Sequence, residues 1–174
     1  MVLREKIKVW DPVIRIFHWS LAASFLLNFG VLDDESTAHE WIGYYVLGIL
    51  VIRLLWGFIG PRNARFVDFF PTKAKLKMHF AALLRGEPHD PNRHNPAGGV
   101  MIIALLSTML LTGLSGWMMT LDMFWGTDWV ESIHDAFANI TMLLVIVHVA
   151  AVSFFSWRGP HNLIRIMLTG YRSP

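Results

Sequence analysis

The stretch HDAFANITMLLVIVH, residues 134–148, places a histidine at each end of an apolar run. The spacing of the two histidines corresponds to about four turns of an α-helix. On such a helix they would lie on one face, about 40° out of line and about 21 Å apart along the axis. That separation is most of the roughly 30 Å hydrocarbon core of a bilayer. The stretch therefore predicts a membrane-spanning helix with an imidazole near each side of the membrane.

The composition of the whole chain also indicates a membrane protein. Its 174 residues are 54% hydrophobic and 16% charged, whereas a soluble domain usually carries about 25% charged residues. The length suits one domain. Cysteine is absent, which excludes disulfides, thiolate-bound metals, iron–sulfur clusters and covalently attached haem. Any metal centre must then use histidine, methionine or carboxylate ligands.

Apolar segments long enough to cross a bilayer lie at about residues 13–32, 38–59, 96–121 and 130–155. We therefore expect an all-α fold, a transmembrane four-helix bundle that forms a single domain over residues 1–174. No small-residue cleavage site is evident after the first apolar run, so we expect a retained span and not a cleaved signal peptide. Four glycines of the third span would allow close helix contact; they are Gly98, Gly99, Gly113 and Gly116.

Two further segments are predicted to form short interfacial helices. The first runs from Thr72 to Arg85, with apolar residues on one face and lysines elsewhere, which is typical of a helix on an anionic membrane surface. Packing on the chain's own loops is the alternative. Its apolar residues are Leu76, Phe80, Leu83 and Leu84, and its lysines are Lys73, Lys75 and Lys77. The second is the C-terminal tail, with Leu163, Ile164, Met167 and Leu168 among Arg165 and Arg172.

The distribution of Lys and Arg predicts the orientation. The N-terminal segment, residues 60–95 and the C-terminal tail are basic, whereas the loops at 33–37 and 122–131 carry acidic residues and neither Lys nor Arg. By the positive-inside rule, both termini and the long loop are expected in the cytoplasm. Tryptophans near the second acidic loop are typical of an interfacial aromatic belt; they are Trp117, Trp125 and Trp129.

This orientation assigns a depth to each intramembrane histidine. His18 and His148 would lie near the cytoplasmic side, and His39 and His134 near the outer side. If the first two spans both contact the fourth, these residues form two facing pairs, one in each leaflet. The remaining histidines fall in cytoplasmic segments and are interpreted as solvated or interfacial residues: His79, His89, His94 and His161.

Two imidazoles that face each other across a bundle suit a haem iron. They fill both axial positions, leave no open site and favour electron transfer over oxygen chemistry. Zinc usually takes four protein ligands, or three and a water. Asp135 stands beside His134, so an outer metal site remains an alternative. The nine methionines are a competing ligand set, although methionine scattered in apolar spans more often serves packing.

Two arginines lie close to the inner histidine level. Arg53 follows His39 at the same spacing at which His148 follows His134, so it returns to the same helix face at the inner level. Arg15 precedes His18 by one turn. Haem carries propionates, and Arg binds carboxylates in a bidentate manner. We therefore predict that Arg15 and Arg53 bind the propionates of an inner haem; snorkelling towards lipid phosphates is the alternative for each.

The chain resembles the prokaryotic cytochrome b561 family, which includes the b-type cytochrome subunits of nickel–iron hydrogenases. The resemblance lies in WDPVIRIFHW (10–19), HEWIGYYVLGILVIRLLWGFIG (39–60), ARFVDF (64–69) and the two histidines of the fourth span. It implies a membrane cytochrome of the bacterial inner membrane with two b haems, one bound by His18 with His148 and one by His39 with His134. It also implies exchange of electrons with quinone. Hydrogenase-type members usually carry an extra span, so this chain is closer to the shorter form.

The expected function is therefore electron transfer across the inner membrane, between a quinone pool and an outer-side redox partner. The acidic outer loops favour a basic partner such as a periplasmic c-type cytochrome; a dehydrogenase subunit is the other candidate. Membrane lipid and quinone are the remaining expected partners, and no nucleic acid is expected. Two alternatives stay open: a stand-alone quinone-linked oxidoreductase acting on a small substrate such as superoxide, and a non-redox metal transporter that uses the intramembrane histidines.

Overall fold

The computed structural model describes residues 7–70, 72, 74, 76–78, 81, 85 and 96–172. Its α-helices are α1 (Pro12–Gly30), α2 (Thr37–Ile59), α3 (Phe66–Phe69), α4 (Pro96–Met119), α5 (Asp128–Arg158) and α6 (Leu163–Thr169). Four of them, α1, α2, α4 and α5, are long and apolar enough to cross a membrane. The predicted all-α, four-helix membrane bundle is confirmed.

The ends of the long helices follow local sequence signals. At the start of α1, the backbone N–H of Ile14 donates to Asp11 Oδ1 over 3.1 Å, and Pro12 occupies the first turn. At the end of α5, the N–H of Gly159 donates to Phe155 O over 2.9 Å, and Pro160 follows. These capping interactions satisfy backbone groups that the helix itself leaves unpaired. Helix α5 extends a few residues beyond the predicted span at both ends.

The long helices pack in sequence, α1 against α2, α2 against α4, and α4 along α5. A buried cluster of Phe25, Val46, Leu50 and Met109 lies at the centre of the bundle. Close approach of α4 to α2 depends on Gly113, where a Cβ atom would lie 2.6 Å from Leu47 Cδ2. Outward-facing side chains such as Phe58 are largely exposed, at 73%. Such broad apolar exposure is expected of helices that contact lipid.

Two short strands join the chain at one end of the bundle. Strand β1 (Ile7–Lys8) pairs antiparallel with strand β2 (Tyr171–Arg172). Gly170 ends α6 with a φ of +84°, and its carbonyl accepts the N–H groups of Val9 and Trp10 over 2.8 and 3.2 Å. A Cβ atom at Gly170 would lie 2.8 Å from Trp10 O, so this turn requires glycine. The predicted C-terminal helix is confirmed as α6, and it is held beneath the start of α1.

The segment after α2 folds back onto the same helix. A short 3₁₀ turn (Arg62–Ala64) precedes α3, and Asn63 Nδ2 donates to Val9 O over 2.8 Å. The ring of Phe66 lies directly over Gly57, where any Cβ atom would collide with it. This segment therefore covers the last turns of α2.

Only part of the predicted Thr72–Arg85 helix can be compared with the structure. Residues 74, 76–78 and 81 are helical, and the N–H of Leu76 donates to Thr72 O over 3.0 Å. Lys77 is exposed. The other residues of that prediction lie outside the described residues: Lys73, Lys75, Phe80, Leu83 and Leu84, together with the histidines His79, His89 and His94.

Candidate functional site

The four intramembrane histidines approach each other in the two predicted pairs. The ring centroids of His18 on α1 and His148 on α5 are 6.3 Å apart, with the rings inclined at 55°. Those of His39 on α2 and His134 on α5 are also 6.3 Å apart, with the rings inclined at 66°. We name these the inner pair and the outer pair, after the sides of the membrane that the loop charges predict. Helix α5 contributes one histidine to each.

Both separations fit one metal ion held between two imidazoles. A histidine nitrogen binds a transition metal at about 2.0–2.1 Å, and the ring centroid lies about 1.1 Å behind it, so opposed rings around one ion have centroids about 6.3 Å apart. Among the described residues, no group of three or more His, Cys, Asp or Glu side chains could hold a metal. Asp135, beside His134, is exposed. Two protein ligands at each level suit haem, which supplies the four equatorial nitrogens itself.

The outer pair is oriented by a helix that carries no histidine. His134 Nδ1 lies 3.0 Å from Thr112 O and 3.3 Å from Ser115 Oγ, both on α4. A nitrogen that bonds to a carbonyl oxygen carries the hydrogen, so Nε2 is left with its lone pair free for a metal. Gly116 provides the space, because a Cβ atom there would lie 3.0 Å from His134 Cε1.

His39 is held mainly through its backbone. Ser36 Oγ accepts its N–H over 3.2 Å, and Asn28 Nδ2 of α1 donates to its carbonyl over 3.0 Å. Its side-chain Nδ1 is buried without a hydrogen-bond partner, and Asp34 Oδ1 lies 4.0 Å away. The outer pair is therefore surrounded by hydrogen-bonding groups and has a carboxylate nearby.

The inner pair lies in more aromatic surroundings. The ring of Trp19 meets the ring of His18 edge to face, with centroids 5.1 Å apart. His18 Nδ1 is buried and has no hydrogen-bond partner among the described residues. A groove of about 300 Å³ runs along the exposed face of α1, and its lining residues are Pro12, Arg15, Ile16 and Trp19. Trp19 therefore contacts the ring of His18 and also lines this groove.

The two arginines predicted at the inner level occupy different environments. The side chain of Arg53 is only 6% exposed, and its Cζ lies 4.8 Å from the centre of the Phe66 ring. Its Nη1 has no hydrogen-bond partner among the described residues. A buried guanidinium with a free donor suits an anionic group. Arg15 instead donates from Nε to Met167 O over 3.3 Å and from Nη2 to Leu168 O. It holds the end of α6, and its proposed contact with a propionate stays a prediction.

Sequence reasoning missed the groups of α4 that hold His134. Thr112 acts through its backbone carbonyl, which has no sequence signal, and Ser115 also donates to carbonyls of its own helix. The lack of a side chain at Gly116 was the available clue, because it indicated that another helix approaches α4 closely. His161, which was also predicted to be cytoplasmic, is half-buried in the turn between α5 and α6.

Comparison with known proteins agrees with this geometry. The family model described as prokaryotic cytochrome b561 matches residues 9–170. The chain is 24% identical over 197 residues to the Escherichia coli (strain K12) protein named "Putative cytochrome YdhU", an alignment that covers 96% of this chain and 75% of that protein. No solved structure matches the chain. Since the family match extends over all four long helices and both histidine pairs, the chain belongs to the prokaryotic cytochrome b561 family of b-type electron-transfer proteins of the membrane.

Proposed function

We propose that this chain is a di-haem cytochrome that transfers electrons across the bacterial inner membrane, between quinone in the bilayer and a redox protein at the outer face. The single observation that carries the proposal is the repeated geometry of the histidines. Two pairs with the same 6.3 Å centroid separation share one helix, and that helix is long enough to cross the membrane. One haem b would be held at each level.

The histidines determine what kind of chemistry is possible. His18 with His148, and His39 with His134, would each hold one haem b between two imidazoles. Bound haem b would supply reversible one-electron oxidation and reduction. A pair of histidine ligands favours electron transfer over catalysis at the iron.

Helix α5 sets the distance that electrons must cross. His134 and His148 are about 21 Å apart along the helix axis, and the stretch between them contains neither Gly nor Pro. Halfway along, Thr141 is fully buried, with 0% exposure. Met142 and Val145 pack on the central cluster. Packed side chains therefore lie between the two levels, and the separation is fixed by a regular helix.

The outer face carries a uniform negative charge that suits a basic protein partner. Neither residues 16–52 nor residues 94–157 contain Lys or Arg, and these ranges hold all the acidic residues of both outer loops. Large apolar side chains next to these acids are exposed: Trp41 at 67% and Trp125 at 77%. Opposite charges steer electron-transfer proteins together, and exposed aromatic groups add contact area. A periplasmic c-type cytochrome or a basic dehydrogenase subunit would fit this surface.

The groove on α1 supports a quinone site at the inner level. It opens on the exposed face of the helix, which is the face that lipid-soluble molecules would reach, and Trp19 links it to the ring of His18. A quinone head group in this groove would lie within a single aromatic side chain of an iron ligand. Electrons could then pass between the inner haem and quinone without leaving the membrane.

The proposal is tested by the optical spectrum of the purified chain after reduction with dithionite. A sharp α band and two haems per chain are expected, and reduction by quinol should also produce the band. A colourless protein would contradict the proposal and would favour a transporter. Turnover of quinol with a small acceptor but with no protein partner would favour the stand-alone oxidoreductase instead.

A further inference from the structure

Three buried polar atoms at the ends of α1 and α2 have no hydrogen-bond partner among the residues that the structure describes: Asp11 Oδ2, Arg53 Nη1 and Trp56 Nε1. Two of these atoms are N–H donors and the third is a carboxylate oxygen. Buried polar groups are almost always hydrogen-bonded, so each exception calls for a physical explanation. The two donors lie one turn apart on the same helix, which makes them neighbours on its surface.

The surroundings of Arg53 shield it from water. The guanidinium packs against the ring of Phe66, 4.8 Å from Cζ to the ring centre. Gly57 makes this possible, because any side chain there would collide with the same ring. The segment after α2 therefore packs against the Arg53 guanidinium. This packing uses the aromatic ring at Phe66 and the space left by Gly57.

The indole of Trp56 is positioned in a similar way by a second glycine. A Cβ atom at Gly60 would lie 3.0 Å from both Cδ1 and Nε1 of Trp56, so the polar edge of the indole rests against the glycine. The chain thus places a neutral donor one helical turn after the charged donor of Arg53, at the end of α2.

Asp11 does not neutralise this pair of donors. Its Oδ1 accepts the N–H of Ile14 and starts α1, while Oδ2 has no partner in the described part of the chain. Asp11 Oδ2 and Arg53 Nη1 therefore do not bond to each other. One donor of Arg53 therefore remains available for a different acceptor.

We propose that Arg53 Nη1 and Trp56 Nε1 together bind one carboxylate, a propionate of the inner haem, and that Trp56 is a haem-binding residue. Arg53 lies six residues before Ile59, where α2 ends on the inner side. His18 lies six residues after Pro12, where α1 begins on the same side. The guanidinium and the inner iron ligand are thus at similar depth, about 9 Å from the helix ends. Two neighbouring N–H groups, one of them charged, match the two oxygens of a carboxylate. This inference rests on the proposed function and adds a residue to it.

The substitution Trp56→Phe tests the proposal, because it keeps the aromatic ring and removes the N–H. Loss of the donor leaves more negative charge near the iron, which favours the oxidised state. We expect the ratio of oxidised to reduced inner haem at fixed potential to rise about threefold, equivalent to a fall of about 28 mV at 59 mV per tenfold. The outer haem should not change. The matched control is Trp157→Phe, since Trp157 is 81% exposed at the end of α5.

Haem dimethyl ester separates a propionate from other occupants of this site. Protein reconstituted with the ester should show a smaller difference between the unmodified chain and Trp56→Phe, because an uncharged ester carbonyl is a weaker acceptor than a carboxylate. An equal shift with haem and with the ester would overturn the proposal, because the donor would then serve a water or a quinone carbonyl. No shift with either would also overturn it.

A spectroscopic measurement keeps the proposal testable if Trp56→Phe does not accumulate. In the unmodified chain, exchange of haem for the ester should move the hydrogen-bond-sensitive ultraviolet resonance Raman band of one indole. An unchanged band would overturn the proposal. Failure of the unmodified chain to bind haem would count against the proposed function itself, whereas two bound haems without these shifts would count against the role of Trp56 alone.

Discussion

The outer and inner pairs share the same ring separation but differ in what holds them. In the outer pair, His134 Nδ1 has hydrogen-bond partners at 3.0 and 3.3 Å on α4, and a carboxylate lies 4.0 Å from His39. In the inner pair, no hydrogen bond to His148 is found among the described residues, His18 Nδ1 has no partner there, as is also true of His39 Nδ1, and Trp19 packs on the His18 ring. One charge at a similar helix depth is the buried cation Arg53.

This difference should separate the two reduction potentials. A hydrogen bond from a ligand histidine to a carbonyl oxygen makes the histidine a stronger electron donor and favours oxidised iron. A buried cation favours the reduced state. Both effects point the same way, so we expect the outer haem to have the lower potential. Electron transfer from the outer face to the inner haem would then be energetically favourable.

Removal of one iron ligand should have the largest effect and should separate the pairs completely. In His148→Ala we expect the loss of one of the two haems, measured as haem per chain, while the outer haem keeps its spectrum. The reciprocal variant His134→Ala should lose the other. His161→Ala is the control, because this histidine lies in the turn beyond α5 and should leave both haems in place. Retention of two haems in His148→Ala would contradict the assigned pairs.

Gly116→Ala should disturb the outer pair alone. The new Cβ atom would lie 3.0 Å from His134 Cε1, so the ring must move from the hydrogen bonds that orient it. Loss of such supporting contacts typically weakens metal binding about 10–100-fold. Titration of apoprotein with haem would measure the change. Gly48→Ala is the matched control, since a Cβ atom at Gly48 has nothing within 4 Å; equal effects of the two variants would argue against this role of Gly116.

Arg53→Gln should lower the reduction potential of the inner haem and so bring it closer to that of the outer haem. Removal of a buried positive charge favours oxidised iron, and we expect about a tenfold change in the inner haem's redox ratio, equivalent to about 59 mV. A redox titration followed in the α band would measure it. Arg62→Gln, at an exposed position, should change little. A shift confined to the outer haem would show that Arg53 acts elsewhere.

Ser115→Ala should give the smallest effect, at the outer pair. The hydroxyl is the more distant of the two partners of His134, and Thr112 O remains. We expect the potential of the outer haem to rise by about 28 mV, a threefold change in its redox ratio. Ser132→Ala provides a control on α5, because its hydroxyl bonds to Asp128 O at an exposed site. If Ser115→Ala disturbed the outer haem more than Gly116→Ala does, the order that we assign to these two contacts would be wrong.

The histidine pairs could be predicted because they follow from regular geometry. Helix rise places His134 and His148 at two levels, and the charge of the loops indicates which histidines of the other spans share those levels. Arg53 followed from the same periodicity. The structure places the four histidines in the two expected pairs, while the role of Arg53 stays a prediction.

Contacts that depend on irregular backbone could not be predicted. Arg15 binds carbonyls of Met167 and Leu168, at the opposite end of the sequence, through an arrangement that also needs two very short strands. Such strands are too short for an alternating pattern. The role of Thr112 rests on a main-chain oxygen, and the donor of Trp56 became visible only when its surroundings were known.

The shared helix α5 has a consequence for how this protein can vary. Because His134 and His148 belong to one uninterrupted helix, the number of residues between them determines the angle between their side chains around the helix axis. Insertion of a single residue between them would rotate one imidazole about 100° from its partner, whereas insertion of seven would restore the face and lengthen the gap by about 10.5 Å. We therefore expect the separation of the two histidine levels to vary only in steps close to whole turns, and we expect this stretch to tolerate no single-residue insertion of the kind that a loop accepts.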